Sequence, residues 1–537
     1  MQSPDDEVPA HVEPGAAGGL SQSHSPTGGQ RVRPPDAYDL AIIGGGVNGC
    51  GIAADAAGRG LTVFLAEKAD LGGATSSASS KLVHGGLRYL EHYAFRLVRE
   101  ALGEREVLLA KAPHIIWPLR FVLPHMPGQR PRWMLRAGLF LYDNLYRRKA
   151  VPGSTALDLT RDPVGRPLKP ELTRGFAYWD CWVDDARLVI LNAQAAAERG
   201  AEILPRHEIT AVRAEGALWR LMVRGAGQER EVRARALVNA AGPWVEKVGG
   251  AIAGREAPHL RLIKGSHLVV PRIAGADDAY LMQNSDGRVV FALPYEEHFT
   301  LIGTTDVAYT GDPGAVAIDE GEIAYLLDLA SRFFRVPLRR QDVVWTYAGV
   351  RPLYDDQSAN PSAVTRDYHL ELSAEAGAPP LLTVMGGKVT TYRRLAEEAL
   401  ERLAPHLAGM GPAWTAGAPL PGGDLDGSGE LVTDPVAAFA RYVERLARDH
   451  SGFDRTYLSR LARRHGSHVP TVLGDAKNLG DMGHLLGPSL TEREVVYLKE
   501  REWAASAEDI LWRRTKAGLH LSAEERARVT EAIAALL

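Results

Sequence analysis

Asp39-Leu40-Ala41-Ile42-Ile43-Gly44-Gly45-Gly46-Val47-Asn48-Gly49 is the stretch that decides the fold. An apolar run fit for a buried strand meets three glycines spaced G-x-G-x-x-G, at Gly44, Gly46 and Gly49. A helix of small residues follows (Gly51, Ala53, Ala54, Ala56, Ala57), and a second apolar run closes on Leu65-Ala66-Glu67. In a dinucleotide-binding turn the first glycine bends the chain and the second lets a pyrophosphate reach the backbone. The third lets helix and strand pack closely. The helix N-terminus, at Val47 and Asn48, adds N–H groups and partial positive charge. Glu67, 18 residues after Gly49, is placed to accept from a ribose 2′-OH. Its carboxylate disfavours a 2′-phosphate, so NADP is not expected.

Just beyond Glu67 the chain reads Leu71-Gly72-Gly73-Ala74-Thr75-Ser76-Ser77-Ala78-Ser79-Ser80-Lys81-Leu82-Val83-His84-Gly85-Gly86-Leu87-Arg88-Tyr89-Leu90. Small hydroxyl side chains allow a polar cofactor close approach and offer hydrogen bonds to its phosphates. Thr75, Ser76, Ser77, Ser80, Lys81, Leu82, Gly85 and Gly86 are therefore candidate cofactor contacts, against the plainer reading of a flexible loop. Far downstream, Val238-Asn239-Ala240-Ala241-Gly242-Pro243-Trp244 is another apolar strand ending in small residues, with Gly242 the candidate contact. The run Leu381-Leu382-Thr383-Val384-Met385 leads into Gly386-Gly387-Lys388-Val389-Thr390 and an amphipathic helix, repeating the strand–glycine–helix logic of the opening. Gly387, Lys388 and Thr390 stand where a helix N-terminus would favour an anionic reduced flavin. A fingerprint opening the ordered chain, a hydroxyl-rich loop after it and a second glycine motif closing the fold favour FAD over NAD.

At 537 residues the chain is too long for one ordinary core, so two or three domains are expected. A net charge of −4 is too small for bulk nucleic-acid binding. Cys50 and Cys181 cannot make a disulfide framework and lack zinc-ligand spacing, which fits a reducing, cytoplasmic setting with no metal centre. Residues 1–36 are rich in Gly, Pro and Ser and lack a signal-peptide core, so they read as a disordered tail. No apolar stretch is long enough for a transmembrane helix.

Residues 97–110 read as an exposed helix bearing Arg99, Glu100, Glu104, Arg105 and Glu106. Residues 118–149 hold seven basic residues and one acid, Asp143, with Trp133, Met134, Phe140, Leu141, Tyr142 and Tyr146 interleaved. Arg132, Arg136, Asp143 and Arg147 fall on one narrow helical stripe, and Arg147-Arg148-Lys149 closes the segment. This suits a helix lying in a membrane interface against anionic lipid, or else a core helix with one wet edge. Strand patterns then dominate at 218–223, 236–239, 263–270, 288–293, 299–303 and 343–347, with few helices between them apart from 323–334, so a second, antiparallel sheet is expected. After a Pro/Gly/Asp linker at 419–429 the pattern turns helical, with start signals at Asp434-Pro435, Thr491-x-x-Glu494, Ser506-x-x-Asp509 and Ser522-x-x-Glu525. The expected division is residues 37–418 for interleaved cofactor and substrate domains and 430–537 for a helical domain. In the latter, Arg513, Arg514 and Lys516 read as a solvated or docking face. The fold class is thus an α/β FAD-binding Rossmann-like domain with an interleaved antiparallel-sheet domain and a C-terminal all-helical domain.

Taken together, these stretches resemble the aerobic flavin-dependent glycerol-3-phosphate dehydrogenases, within the D-amino-acid-oxidase-like class, over roughly residues 38–520. Besides the fingerprint, the resemblance is carried by residues 74–91, by Asp180-Cys181-Trp182-Val183-Asp184-Asp185-Ala186-Arg187 and by Ile263-Lys264-Gly265-Ser266-His267. It continues through Ile302-Gly303-Thr304-Thr305-Asp306, Gly349-Val350-Arg351-Pro352, Thr365-Arg366-Asp367-Tyr368 and Gly386-Gly387-Lys388. It departs from the family at the N-terminal tail, which precedes the usual start.

The resemblance implies oxidation of sn-glycerol 3-phosphate to dihydroxyacetone phosphate, hydride transfer from C2 to flavin N5, and electrons passed to a membrane quinone. It implies a protein held on the inner face of the cell membrane, with self-association into a homodimer left open. The family-matched candidates for the substrate phosphate are Arg88, Arg366 and Lys388, with Tyr89 as a further donor. His267 is the candidate base for the C2 hydroxyl, and Arg351 the candidate stabiliser of the developing alkoxide. His84 is assigned packing or cofactor contact. Two other readings are an oxidase that passes electrons to oxygen and makes peroxide, and a flavin-bearing membrane scaffold without turnover.

Overall fold

The computed structural model describes residues 36–126, 130–252, 259–284, 288–354, 367–375 and 377–537. The expected disordered tail, apart from Asp36, lies outside the described residues.

The opening apolar run is the buried strand Tyr38–Ile43, and the second is Val63–Glu67. They pair in parallel at the centre of a sheet ordered His369–Ser373, Leu381–Met385, Gln228–Asn239, Tyr38–Ile43, Val63–Glu67, Glu202–Pro205. Both faces are covered, as uninterrupted apolar strands require. Leu40, Ile42, Val63 and Leu65 pack under the small-residue helix Val47–Gly58, with Asp185–Ala197 and Tyr392–Leu403 beside it. Ala41, Ile43, Phe64 and Ala66 pack on the other face against Trp219, Leu221 and Val223 of the hairpin strand Leu218–Gly225. Small side chains in that helix have a steric reason: a Cβ on Gly51 would sit 2.7 Å from the Tyr392 ring.

The second sheet runs Val307–Ala308, Leu260–Pro271, Phe299–Gly303, Val289–Tyr295, Ala279–Gln283, Ile116–Pro124, Arg174–Val183, Leu82–Val83. Trp345–Tyr354 flanks Leu260–Pro271, and among these pairings Ala279–Gln283 with Ile116–Pro124 is parallel while the others are antiparallel. Helix Glu320–Phe333, started by an Asp319 capping box, covers one face, and an aromatic-rich cluster fills the other. The C-terminal region holds helices Pro435–Asp449, Arg455–His465, Glu492–Glu502 and Ala523–Leu536 around a core of its own. The start signals at Asp434-Pro435, Thr491 and Ser522 each place a side-chain oxygen on a first-turn N–H.

Several local expectations are corrected. Helix Phe95–Lys111 is not an exposed one: Glu104, Arg105 and Glu106 are all buried. Arg393 donates to Glu104, Arg105 donates to Asp180 at 2.9 Å, and the backbone of Lys149 and Ala150 donates to Glu106. Their partners come from far along the chain, so the helix's own pattern could not show them. The basic segment 118–149 is not one helix, because Ile116–Pro124 is a strand inside the second sheet and only Arg132–Asn144 is helical. Arg514 and Lys516 are not solvated: both are buried, paired with Asp70 and Asp184. The stretch 419–429 carries no helix or strand, yet Leu420 and Leu425 are buried and Leu420 N donates to Lys111 O at 3.0 Å.

Candidate active site

The glycine turn, the hydroxyl-rich loop and the Gly386-Gly387-Lys388 turn meet around one cavity of about 790 Å³. Gly44, at φ +110°, sits where a Cβ would come 2.5 Å from Ala240 O, so glycine is required there for conformation and for space. Gly49 is excluded from side chains by packing, since its Cβ would lie 1.9 Å from Gly44 O. Gly46 differs: a Cβ there meets only Ser76 Oγ at 3.1 Å, and its open side faces the cavity. Ser76 Oγ accepts from Val47 N at 3.0 Å, joining the loop to the helix start. Glu67 accepts from Gly45 N at 2.7 Å and Ala69 N at 2.9 Å, and burial raises its pKa against those two bonds. Asn48 Nδ2 donates to Gly386 O at 3.2 Å, tying the two glycine turns together.

The hydroxyl-rich loop is fixed by partners from three distant stretches. Thr75 Oγ1 donates to Val350 O at 2.6 Å, while Ser79 and Lys81 both donate to Asp185. Ser80 lines the cavity, and behind it His267 Nε2 lies 2.9 Å from Ser80 Oγ. The imidazole is buried and stacked on Tyr347 at 4.7 Å, whose hydroxyl donates to Ser79 O. Burial, then the nearby charges of Arg351 and Lys81, push the His267 pKa well below its ordinary value, so the ring is neutral.

Arg351 enters the cavity from strand Trp345–Tyr354. It donates to Asp306 Oδ1 at 2.9 Å and to Thr304 Oγ1 at 3.1 Å, and Gly265 leaves the room its guanidinium occupies. Lys388 lines the same cavity, with its ammonium 3.9 Å from the centre of the Tyr89 ring. Tyr89, His84, Phe291 and Thr304 also line a second cavity of about 400 Å³. That cavity carries Arg88 and Asp306, and it is walled by Phe95, Met134, Leu135, Leu139 and Leu141.

The expected residues thus divide. Gly44, Gly46, Val47, Asn48, Glu67, Thr75, Ser76, Ser80, Leu82, Gly242, Arg351, Gly387, Lys388 and Thr390 converge on the first cavity, with Tyr89 shared and Arg88 and Gly86 on the second. His267 is buried and lies behind Ser80, whose side chain stands between its imidazole and the first cavity. Lys81 is turned to Asp185, Gly85 is packed against Leu102 and Tyr142, and Ser77 and Gly49 hold backbone geometry instead of lining the space. Arg366 lies outside the described residues. Sequence reasoning missed Thr304 and Asp306 as the residues that aim Arg351, although the motif containing them was in view. It also missed Asp180, which accepts from Arg105, Tyr142 and Gly85 N and so holds up the floor beneath Gly85 and Gly86.

These residues fit FAD. The turn supplies a cradle that a Cβ at Gly46 would fill, a helix N-terminus for a pyrophosphate and a half-buried carboxylate at the end of the second strand. Asn48 Oδ1 is buried on the cavity wall with no hydrogen-bond partner among the described residues.

Residues 39–393 match the FAD dependent oxidoreductase family, and residues 413–537 match the C-terminal domain of alpha-glycerophosphate oxidase. The chain is 54% identical to the glycerol-3-phosphate dehydrogenase of Pseudomonas aeruginosa, over 95% of this chain and 97% of that one. It is 52% identical to the D-erythritol 1-phosphate dehydrogenase of Brucella abortus, over 93% of this chain and 98% of that one. The crystal structure of the Bacillus halodurans glycerol-3-phosphate dehydrogenase complexed with FAD superposes with a TM-score of 0.72 at 27% identity, covering 93% of this chain and 94% of that one. The glycine turn, the two sheets and the near full-length identity agree: this chain belongs to the FAD-dependent oxidoreductase family and, within it, to the glycerol-3-phosphate dehydrogenases.

Proposed function

We propose that this chain oxidises sn-glycerol 3-phosphate to dihydroxyacetone phosphate and passes the electrons to a membrane quinone. The observation that carries the reading is the convergence of Arg351, Lys388, Tyr89 and Ser80 on the cavity that holds the glycine turn. Bound in that cavity, FAD supplies the hydride acceptor at N5 for the substrate's C2. Gly46, Val47, Asn48 and Ser76 hold its pyrophosphate, and Glu67 its ribose. Lys388 and Arg88, with Arg366, bind the substrate phosphate, Lys388 being steered by the Tyr89 ring. Arg351, aimed by Asp306 and Thr304, stabilises negative charge growing on the C2 oxygen. The hydroxyl proton passes to Ser80 Oγ as Ser80 gives its own proton to neutral His267 Nε2, so the histidine works at one remove. Residues 37–418 form the catalytic unit in this reading, joined by 419–429 to the helical domain 430–537.

The quinone and membrane parts draw on helix Arg132–Asn144. It buries Leu139 and Tyr142 but leaves Trp133 70% and Phe140 62% exposed, beside an apolar cavity that shares Tyr89 and His84 with the flavin site. Of the expected stripe, Arg136 and Asp143 are engaged by Ser154, while Arg132 and Arg147, with Lys149 of the closing basic run, are exposed and meet anionic headgroups in this reading. No helix among the described residues is long and apolar enough to cross a membrane. The test is anaerobic bleaching of the flavin absorbance by sn-glycerol 3-phosphate, with D-erythritol 1-phosphate as comparator; no bleaching by the first refutes the reading. The family of the C-terminal match favours a second acceptor, oxygen. Peroxide yield measured against quinone reduction separates the two.

A further inference from the structure

The loop 67–73 leaves strand Val63–Glu67 and has two sides. Glu67, Lys68, Ala69, Gly72 and Gly73 line the cavity, and Gly72 N donates to Gly45 O at 2.9 Å while Gly45 N donates to Glu67 at 2.7 Å, so the loop is tied to the glycine turn. Asp70 points the other way and is buried, 4% exposed. Its carboxylate accepts from Arg514 Nη1 and Nη2 at 2.6 and 2.9 Å and from Arg513 Nε at 2.6 Å. Both arginines belong to the C-terminal region, on the π-helical turn Asp509–Arg514. In that wider turn consecutive side chains diverge less than on an α-helix, which lets neighbours 513 and 514 converge on one carboxylate.

The clamp is itself braced. Asp509 accepts from Arg513 Nη2 at 2.6 Å and from Arg206 Nη2 at 2.5 Å, while Arg206 N donates to Ala69 O at 2.8 Å. Arg514 also donates to Glu502 O, and Glu502 is the partner of Arg187. Lys516 pairs with Asp184, next to the Asp185 that holds Ser79 and Lys81. The helical region therefore grips the 67–73 loop directly and the hydroxyl-rich loop at one remove, through the neighbours Asp184 and Asp185, from the side away from the cavity. Buried bidentate carboxylate–guanidinium pairs are rigid, and removing one partner strands a charge without solvent.

We propose that Arg513 and Arg514 are positioning residues for the cofactor: through Asp70 they hold the 67–73 loop, and with it Glu67, in the conformation that meets the adenosine half of FAD. The C-terminal domain is then a cofactor-retention clamp. This rests on the flavin reading of the cavity, whose own failure would show as a parent chain that takes up no FAD.

The test is titration of deflavinated full-length protein with FAD and, separately, with ADP. Arg513→Gln and Arg514→Lys should raise the dissociation constant for FAD about tenfold or more and that for ADP by a similar factor, because the loop acts on the adenosine end. Each variant leaves Asp70 one cationic partner, so the urea midpoint of the deflavinated protein, read in parallel, should fall modestly, while the loss of FAD affinity should persist in full where both proteins are wholly folded. An FAD constant within about twofold of the parent's overturns the proposal. So does a loss of FAD affinity that only follows a lowered midpoint, which would make the pair ordinary interdomain packing. Should Arg514→Lys fail to fold, Arg513→Gln carries the test, since its side chain keeps an exposed edge.

Discussion

Ser80 Oγ stands 2.9 Å from His267 Nε2, and this bond joins a buried imidazole to the wall of the cofactor cavity. If proton removal runs through the pair, the two residues act as one unit. Ser80→Ala and His267→Asn should each lower kcat/KM by about 100-fold, and the double variant should lose no more than either alone. Losses that add in full would mean the residues contribute separately, with His267 serving only the packing against Tyr347.

Two of the fingerprint glycines, Gly49 and Gly46, should respond differently to the same change. Gly49→Ala places a methyl carbon 1.9 Å from Gly44 O and should destabilise the deflavinated protein. Gly46→Ala meets only a hydroxyl at 3.1 Å within the protein, so the chain should fold and yet purify with little yellow colour. Full flavin occupancy in Gly46→Ala, or Gly46→Val, would place the pyrophosphate elsewhere.

Phosphate recognition is checked by pairing variants with a substrate that has no phosphate. Removing one charge-assisted contact at Lys388, Arg88 or Arg366 should cost about 2–4 kcal/mol of transition-state stabilisation, roughly 30- to 1,000-fold in kcat/KM. Glycerol should be a poor substrate of the parent enzyme, and its turnover should be indifferent to Lys388→Met. Equal losses on both substrates would show that the residue supports the site's shape.

Lipid contact should depend on apolar side chains as well as on charge. Trp133→Ser with Phe140→Ser should weaken binding to anionic vesicles even at high salt, where the basic residues are screened and each loses its contribution of about 1 kcal/mol. Arg147, Arg148 and Lys149 changed to Glu should release protein mainly at low salt. Dye-linked turnover should persist in both. Vesicle sedimentation equal to the parent's in both variants would move the membrane contact away from this helix.

Acid should destabilise the fold before it reaches the carboxylates. His267 and His114 are both buried with pKa values pushed well below the ordinary range, chiefly by desolvation, and His114 has no hydrogen-bond partner for either ring nitrogen among the described residues. The unfolded chain binds these protons first, so stability is full above about pH 6.5 and falls as pH drops below it. Each histidine adds a slope of up to about 1.4 kcal/mol per pH unit. Urea unfolding from pH 7.5 to 5 should show the decline, and His114→Gln should flatten it. An unchanged slope in that variant would mean His114 is protonated through other contacts.

How much of this was open to reading from the chain follows from the range of the interactions. The fingerprint, Glu67 and the Gly386-Gly387-Lys388 turn were legible because a strand, a tight turn and a helix start are set by neighbours within a few residues. The second sheet was legible through its alternating and apolar runs, though strands Trp345–Tyr354 and Val289–Tyr295 shifted at their ends where pairing outlasts the apolar pattern. Pairings across hundreds of residues leave no such local trace. Arg393 with Glu104, Arg514 with Asp70 and His267 with Ser80 are of that kind. A charged side chain looks solvated until the opposite charge arrives from elsewhere, which is why 97–110 read as exposed and Arg514 as part of a solvated or docking face. The sequence by itself determined a dinucleotide turn, its cofactor and its family. Only the tertiary structure decided that His267 stands behind Ser80, that Asp306 aims Arg351, and that the helical domain closes on the cofactor loop through Asp70. Burial and charge pairing depend on which distant segments meet, and the folded chain alone specifies that.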